Sequence, residues 1–142
     1  MHNILFVCTA NIFRSRFAEE VFNFLAIKEK IHARAFSAGL KVGEYHIRKI
    51  YRPALEQLEK LNIKPRRPNE LSMHINEVEL TKYDQLICMD EAEHKPMVLS
   101  NSKLKEFNFE YWDIIDEPKV QSDVSLPICY NKVKEIVDGL KK

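Results

Sequence analysis

The chain is poor in glycine. Only three glycines occur in 142 residues, and no G-x-x-x-x-G-K-[ST] run is present, which excludes a Walker-type nucleotide loop. Cysteine is also sparse. Cys8, Cys88 and Cys129 form no CxxC pair and no zinc-ligand spacing, and an odd, low count suits a reducing compartment rather than a disulfide framework. The five histidines are scattered without i, i+4 pairing, so no metal site is expected. Neither sign of charge is in excess: 22 Lys plus Arg stand against 21 Asp plus Glu. Nothing therefore draws the whole molecule to nucleic acid or membrane. No run approaches the roughly 18 apolar residues of a membrane span, and Asn3 to Cys8 is too short for a signal-peptide core. A cytoplasmic protein with no cofactor, no nucleic-acid partner and no membrane partner is expected.

What the chain does have is alternation. Asn3-Ile4-Leu5-Phe6-Val7-Cys8 is a short apolar run, followed after Ser15 by a helical pattern. In that pattern Phe17, Val21, Phe22, Phe24, Leu25 and Ile27 form the apolar face, and Glu19, Glu20 and Lys28 the polar one. Ala33 to Ala38 reads as a second strand stopped by Gly39. A second helix is expected over 47–61, with Pro53 either kinking it or marking its true start near Arg52, and with Leu55, Leu58 and Leu61 as its buried stripe. Residues 64–69 form a proline-stiffened loop in which Arg66 and Arg67 are solvated. The stretch 70–80 is ambiguous between loop and short helix. Tyr83 to Asp90 reads as the third strand, 91–99 as a helix containing Pro96, and Phe107 to Ile115 as the fourth strand. The last helix is expected from about Ser125 to Gly139, with Pro127 in its first turn and Ile128, Val133, Ile136 and Val137 buried. Met89 and Trp112 read as core. Four strand–helix alternations in one domain, residues 1–142, predict an α/β doubly wound parallel sheet with helices on both faces.

In such a sheet every strand ends on the same rim, where ligands bind. Cys8 stands there, beside the first turn of the next helix. A helix N-terminus and a wrapped loop offer unpaired N–H groups that hold anions and favour a thiolate. Arg14 adds a planar fork of donors suited to phosphate oxygens. A nucleophile inside a phosphate cradle points to phosphoryl transfer onto sulfur. The competing reading is a buried core cysteine beside a solvated arginine.

The residues that carry these features also resemble a known family. Val7-Cys8-Thr9-Ala10-Asn11-Ile12-Phe13-Arg14-Ser15 resembles the V-C-x-G-N-x-C-R-S loop of the low-molecular-weight protein tyrosine phosphatases and their arsenate reductase cousins. Phe36-Ser37-Ala38-Gly39 resembles their S-A-G segment, Tyr83 to Asp90 their Y-D-x-I-x-x-M-D strand, and Asp113 to Pro118 their late D-P motif. The resemblance implies a flavodoxin-like sheet of strand order 2-1-3-4 and cofactor-free hydrolysis of phosphomonoesters. The substrate would be a phosphotyrosine protein or aryl phosphate, the product inorganic phosphate, and the enzyme a monomer. It also implies roles. Cys8 is the nucleophile, Arg14 the phosphate clamp and Asp116 the general acid. Thr9, Ala10, Asn11, Ile12 and Phe13 form the phosphate loop. Ser15 bonds the sulfur, Ser37 is a supporting serine, and Tyr45 with Phe13 walls the groove.

Several positions depart from the pattern. Ala10 stands in place of a glycine. Phe13 stands in place of a second cysteine, so Cys8 has no disulfide partner within the loop. Glu117 separates Asp116 from Pro118, which makes Asp113 a rival acid, and Lys119 and Val120 stand where an aromatic pair is common. Arg66 falls near a family histidine that supports the loop asparagine. Two other functions remain open: arsenate reduction, which needs a cysteine relay and for which Cys88 is the candidate, and a phosphate-binding module without catalysis.

Overall fold

The structure is a computed structural model and describes residues 1–43 and 47–141; Tyr45 therefore lies outside the described residues. Strands β1 (His2–Cys8), β2 (Ala33–Gly39), β3 (Gln85–Cys88) and β4 (Glu110–Tyr111) alternate with helices α1 (Arg14–Lys28), α2 (Arg52–Lys60), α3 (Glu91–Leu99) and α4 (Ser122–Leu140). The strands pair in parallel in the order β2-β1-β3-β4, as the resemblance implies.

Strand β1 is apolar and buried from Ile4 to Cys8 because both of its faces are covered there. Ile4, Phe6 and Cys8 point into one cluster with Phe17, Val21 and Phe22 of α1, Leu58 of α2 and Val133 of α4. Leu5 and Val7 point the other way, against Ile75, Leu80 and Val98 of α3. Three helices thus cover one face, and α3 with two short 3-10 turns (Ile75–Glu77 and Leu80–Lys82) covers the other. The turns resolve the ambiguous stretch. The exposed margin of β2 is closed from α1, where the Asn23 amide donates to the Ala35 carbonyl at 3.0 Å and accepts the Ala35 N–H at 2.8 Å. That satisfies edge groups which would otherwise invite pairing.

Several local expectations fail for identifiable reasons. Helix α1 starts two residues early, with Phe13 rather than Ser15 as its cap residue. Glu19 and Glu20 are buried rather than solvated, and Ile27 is exposed; the polar face of α1 is turned towards loop 64–70, whose donors need acceptors. Arg67 belongs to that arrangement and is not a solvated loop residue, since its Nε lies 2.7 Å from Glu19 Oε2. Helix α2 begins at Arg52, the second of the two expected starts, and buries Ala54 and Leu58 while Leu61 faces solvent. The strand expected over 107–115 is only Glu110–Tyr111, because β3 offers it just Ile87 and Cys88 as partners. Past Tyr111 the chain keeps single bonds to β3, Trp112 N to Cys88 O and Ile114 N to Met89 O. Trp112 is only partly buried against the core. Helix α4 begins three residues before the expected Ser125, so Pro127 sits in its second turn. Extended Gln121 accepts the N–H groups of Val124 and Ser125 and closes the first turn instead. That start rotates the helix so that Leu126, Cys129, Val133 and Val137 are buried and Ile128 is exposed.

Candidate active site

The register places Cys8 opposite Gly39 at the carboxyl rim of the sheet, and the chain then loops through residues 9–13 into α1. Gly39 permits this path. A Cβ there would lie 2.8 Å from the Thr9 carbonyl oxygen and 3.0 Å from Asn11 Cβ, closer than packing allows. The loop turns at Asn11, whose φ of 58° is left-handed, a conformation asparagine tolerates. Ala10 is not in that region of backbone space, so its methyl group fits where a glycine is common. Among the described residues, no backbone N–H from Thr9 to Arg14 donates to a carbonyl or side-chain oxygen. Unpaired donors in a loop that leads into a helix N-terminus suit an anion.

A chain of hydrogen bonds orients the sulfur. The Met73 N–H donates to Asn11 Oδ1 at 2.9 Å, which assigns the other end of that amide as the donor. Asn11 Nδ2 then donates to Ser15 Oγ at 2.9 Å. With that lone pair engaged, the Ser15 hydroxyl proton is free for Cys8 Sγ, 2.9 Å away. Ser15 can therefore donate to the sulfur once Cys8 is a thiolate, the form that attacks. The backbone of Met73 thus fixes the loop asparagine. Arg66 itself gives only its backbone N–H, to Glu20 at 2.7 Å.

Arg14 is buried and lines the same pocket as Cys8. Its NH1 donates to the Ile114 carbonyl at 2.9 Å and its NH2 to Glu93 Oε2 at 3.0 Å, with Asp116 Oδ2 at 3.4 Å from the same nitrogen. Its buried Nε–H has no partner among the described residues. NH2 is already shared by two carboxylates, so Nε is the guanidinium nitrogen left without a protein acceptor among the described residues. Burial works against the charge, yet Cys8, Glu93 and Asp116 together hold its pKa above the ordinary arginine value.

Asp116 comes to the pocket from the loop after β4, and Glu117 beside it joins Pro118 through a cis peptide bond. Burial pushes the Asp116 carboxyl up, Arg14 opposes this, and the charges of Glu93 and Glu117 add to it; the net direction is upward. Asp113 instead forms a bridge with Asp90 and lines a separate depression with Lys132. The Cys8 pocket, about 380 Å³, has Ile12, Phe13, Ile47 and Tyr51 as apolar walls. Phe13 packs edge-on against Tyr51 at 5.7 Å. Ser37 does not line this pocket. Its hydroxyl donates to Glu19 Oε1 at 2.5 Å and ties β2 to α1.

Sequence reasoning missed Glu93, His94, Ile47 and Tyr51. Glu93 reads as an ordinary first-turn acid that favours the helix dipole of α3. The Thr9 hydroxyl donates to Glu93, and His94 Nε2 approaches Thr9 Oγ1 at 3.0 Å and Glu93 Oε2 at 3.2 Å. The Asp90 N–H donates to His94 Nδ1 at 3.1 Å, which puts the ring proton on Nε2. Burial alone would raise the Glu93 carboxyl, but bonds from His94, Arg14 and Thr9 and the Arg14 charge hold it well below the usual carboxylate range. Only the i, i+3 spacing of Asp90 and Glu93 across a strand-to-helix junction hinted that an acid here would face the rim.

The family model described as low molecular weight phosphotyrosine protein phosphatase matches residues 3–142. No curated protein matches the chain. Among solved structures, a low molecular weight phosphotyrosine phosphatase from Vibrio cholerae O395 is 17% identical, with 100% of this chain and 98% of that chain covered and a TM-score of 0.80. An arsenate reductase from Archaeoglobus fulgidus is 23% identical, with 95% and 98% covered and a TM-score of 0.70. The arginine phosphatase YwlE, a Bacillus subtilis protein, was solved as a cysteine-to-serine mutant carrying a phosphorylated active-site serine. It is 22% identical, with 98% and 93% covered and a TM-score of 0.73. These identities bear on fold alone.

Proposed function

Because the chain belongs to the low molecular weight phosphotyrosine protein phosphatase family, we propose that it hydrolyses aryl phosphomonoesters, phosphotyrosine among them, through a phosphorylated Cys8. One observation carries this reading. Cys8 Sγ, 2.9 Å from the Ser15 hydroxyl, shares a pocket with Arg14, whose Nε–H has no partner among the described residues, and with the Asp116 carboxyl, which burial pushes up.

The substrate phosphate docks against the loop N–H groups and the Arg14 Nε–H, which take up charge on its equatorial oxygens. Cys8 Sγ attacks phosphorus in line; the P–S bond forms as the P–O bond to the leaving group breaks. Asp116 gives its proton to that departing oxygen. It then removes a proton from water, whose oxygen attacks phosphorus and breaks the P–S bond, releasing inorganic phosphate and the thiolate. The apolar walls Ile12, Ile47 and Tyr51 suit an aromatic leaving group better than a guanidinium.

The arsenate-reductase alternative is disfavoured by placement. Cys88 points into the cluster on the opposite face of the sheet from Cys8, and burial pushes its thiol far up. Cys129 is fully buried, and its thiol is pushed up to about 12. Neither suits a thiolate relay.

Steady-state hydrolysis of p-nitrophenyl phosphate tests the reading. Orthovanadate should inhibit the wild type. Cys8→Ser should lower kcat by at least about 10³-fold, the scale of removing a nucleophile, while tungstate still binds. Asp116→Asn should slow poor leaving groups by about 10²- to 10⁴-fold, and Asp113→Asn should not. Full activity in Cys8→Ser, or faster turnover of phosphoarginine than of phosphotyrosine, overturns the proposal.

A further inference from the structure

We propose that Glu93 is a positioning residue of this site, clamping the Arg14 guanidinium and the Thr9 hydroxyl from α3 and standing as a fixed anion beside Asp116. The inference rests on the phosphatase reading and deepens it. Arg14 is held at two points that no substrate would occupy, the Ile114 carbonyl on NH1 and Glu93 Oε2 on NH2. The second anchor also reaches the loop itself, because the same carboxylate accepts the Thr9 hydroxyl, one residue past the nucleophile. His94, fully buried and with its ring oriented by the Asp90 N–H, holds the carboxylate from behind. Glu93 therefore couples clamp and loop as one unit built on a helix.

Its charge has a second consequence. Asp116 and Glu93 share Arg14 NH2, at 3.4 and 3.0 Å. The groups around Asp116 are Arg14 from α1, Glu93 from α3, Glu117 in its own loop and Cys8 across the pocket. Arg14 alone would favour ionised Asp116 and spoil it as an acid. Glu93 neutralises part of that field, so that Asp116 holds its proton to higher pH than beside Arg14 alone, and Arg14 keeps its geometry. The same anion weakens attraction for the oxyanion product, which must leave.

Glu93→Gln and Glu93→Ala separate position from charge. Glutamine keeps an acceptor for Thr9 and Arg14 but removes the charge; alanine removes both. Glu93→Ala should lower kcat/KM for p-nitrophenyl phosphate by about tenfold to a hundredfold, the scale of a misplaced catalytic group, and Glu93→Gln should recover most of it. In Glu93→Gln the alkaline limb of the kcat/KM profile should move to lower pH, because Asp116 loses its proton sooner beside an unopposed Arg14. Tungstate, titrated calorimetrically at pH 7, should bind Glu93→Gln about tenfold more tightly, the size of one nearby charge removed near a protein surface. An unmoved pH profile with unchanged tungstate affinity in Glu93→Gln overturns the proposal. So does a parallel loss of activity in both variants. A wild type without aryl phosphatase activity defeats the phosphatase reading instead, and the tungstate titration still decides whether Glu93 sets the charge of the cradle.

Discussion

Helix α1 carries two buried arginine–carboxylate clusters, and only one of them is a site. Arg14 and Arg16 are both buried, and each has an Nε–H without a partner, so an orphan donor by itself distinguishes nothing. The difference lies in what the rest of each fork meets. Arg16 donates NH1 to the Glu70 carbonyl at 2.9 Å and NH2 to the Arg67 carbonyl at 2.6 Å. Glu20 accepts the Arg66 and Arg67 N–H groups at 2.7 and 3.0 Å, and Glu19 takes Ser37 and Arg67. That cluster closes loop 64–70 onto the helix. Around Arg14 the carboxylates converge on a single nitrogen, and the residue lines a pocket together with a nucleophile. Two residues of offset turn the second arginine to another side of the helix, and that offset separates scaffold from chemistry.

The contrast can be broken by substitution. The largest effect is expected at the closed cluster. Glu19→Ala leaves the Ser37 hydroxyl and Arg67 guanidinium without their acceptor and should cost about 3–5 kcal/mol of stability, measured as a lower urea midpoint. The fraction still folded should turn over at the wild-type rate. Next comes Arg14→Lys, which removes the planar fork and should lower kcat/KM by about 10²- to 10³-fold at a smaller cost in stability than Glu19→Ala. If Arg14→Lys were the more unstable of the two and kept its activity, the assignment of the two clusters would be reversed.

The smallest expected effect is in the pH dependence of folding, and here the clusters have opposite signs. The Glu93 carboxyl is held low in the fold, so the stability it contributes is present above its unfolded value, about 4.3, and is lost as pH falls below that. Glu20 is pushed up, chiefly by burial, so its ionisation costs stability that returns on acidification. Glu93→Gln should cost about 1–2 kcal/mol at pH 7, and the gap to wild type should close below about pH 4. A gap that stays constant with pH would mean that the Glu93 charge does no work in the fold.

The sheet could be read from the chain because a strand covered on both faces reads as a continuous apolar run, and β1 does so from Ile4 to Cys8. The nucleophile loop was legible for the same reason: it begins where that apolar run stops. The short β4 was not. Phe109 and Tyr111 have strand-like side chains, but pairing length is set by the four-residue partner β3. Nor was the start of α4, since Pro127 favours a first turn, whereas the helix, closed at its start by an extended Gln121, places it in the second and forgoes one N–H bond there. Glu19, Glu20 and Arg67 looked solvated because charge in a helical pattern usually marks the wet face. Here their partners lie about 50 residues away in sequence and leave no periodic trace.

The linear chain settled what depends on neighbours along it: which segments form strands and helices, that Cys8 ends a strand, and that Arg14 follows it onto a helix. Folding settled what depends on groups distant in sequence arriving together. Asp116 rather than Asp113 meets the cysteine pocket, Met73 orients Asn11, and Glu93 faces Arg14 across 79 positions. The physical reason is that hydrophobic patterning is local and redundant, whereas a hydrogen bond between two charged groups is a single contact whose ends carry no mark of each other until the backbone brings them within about 3 Å.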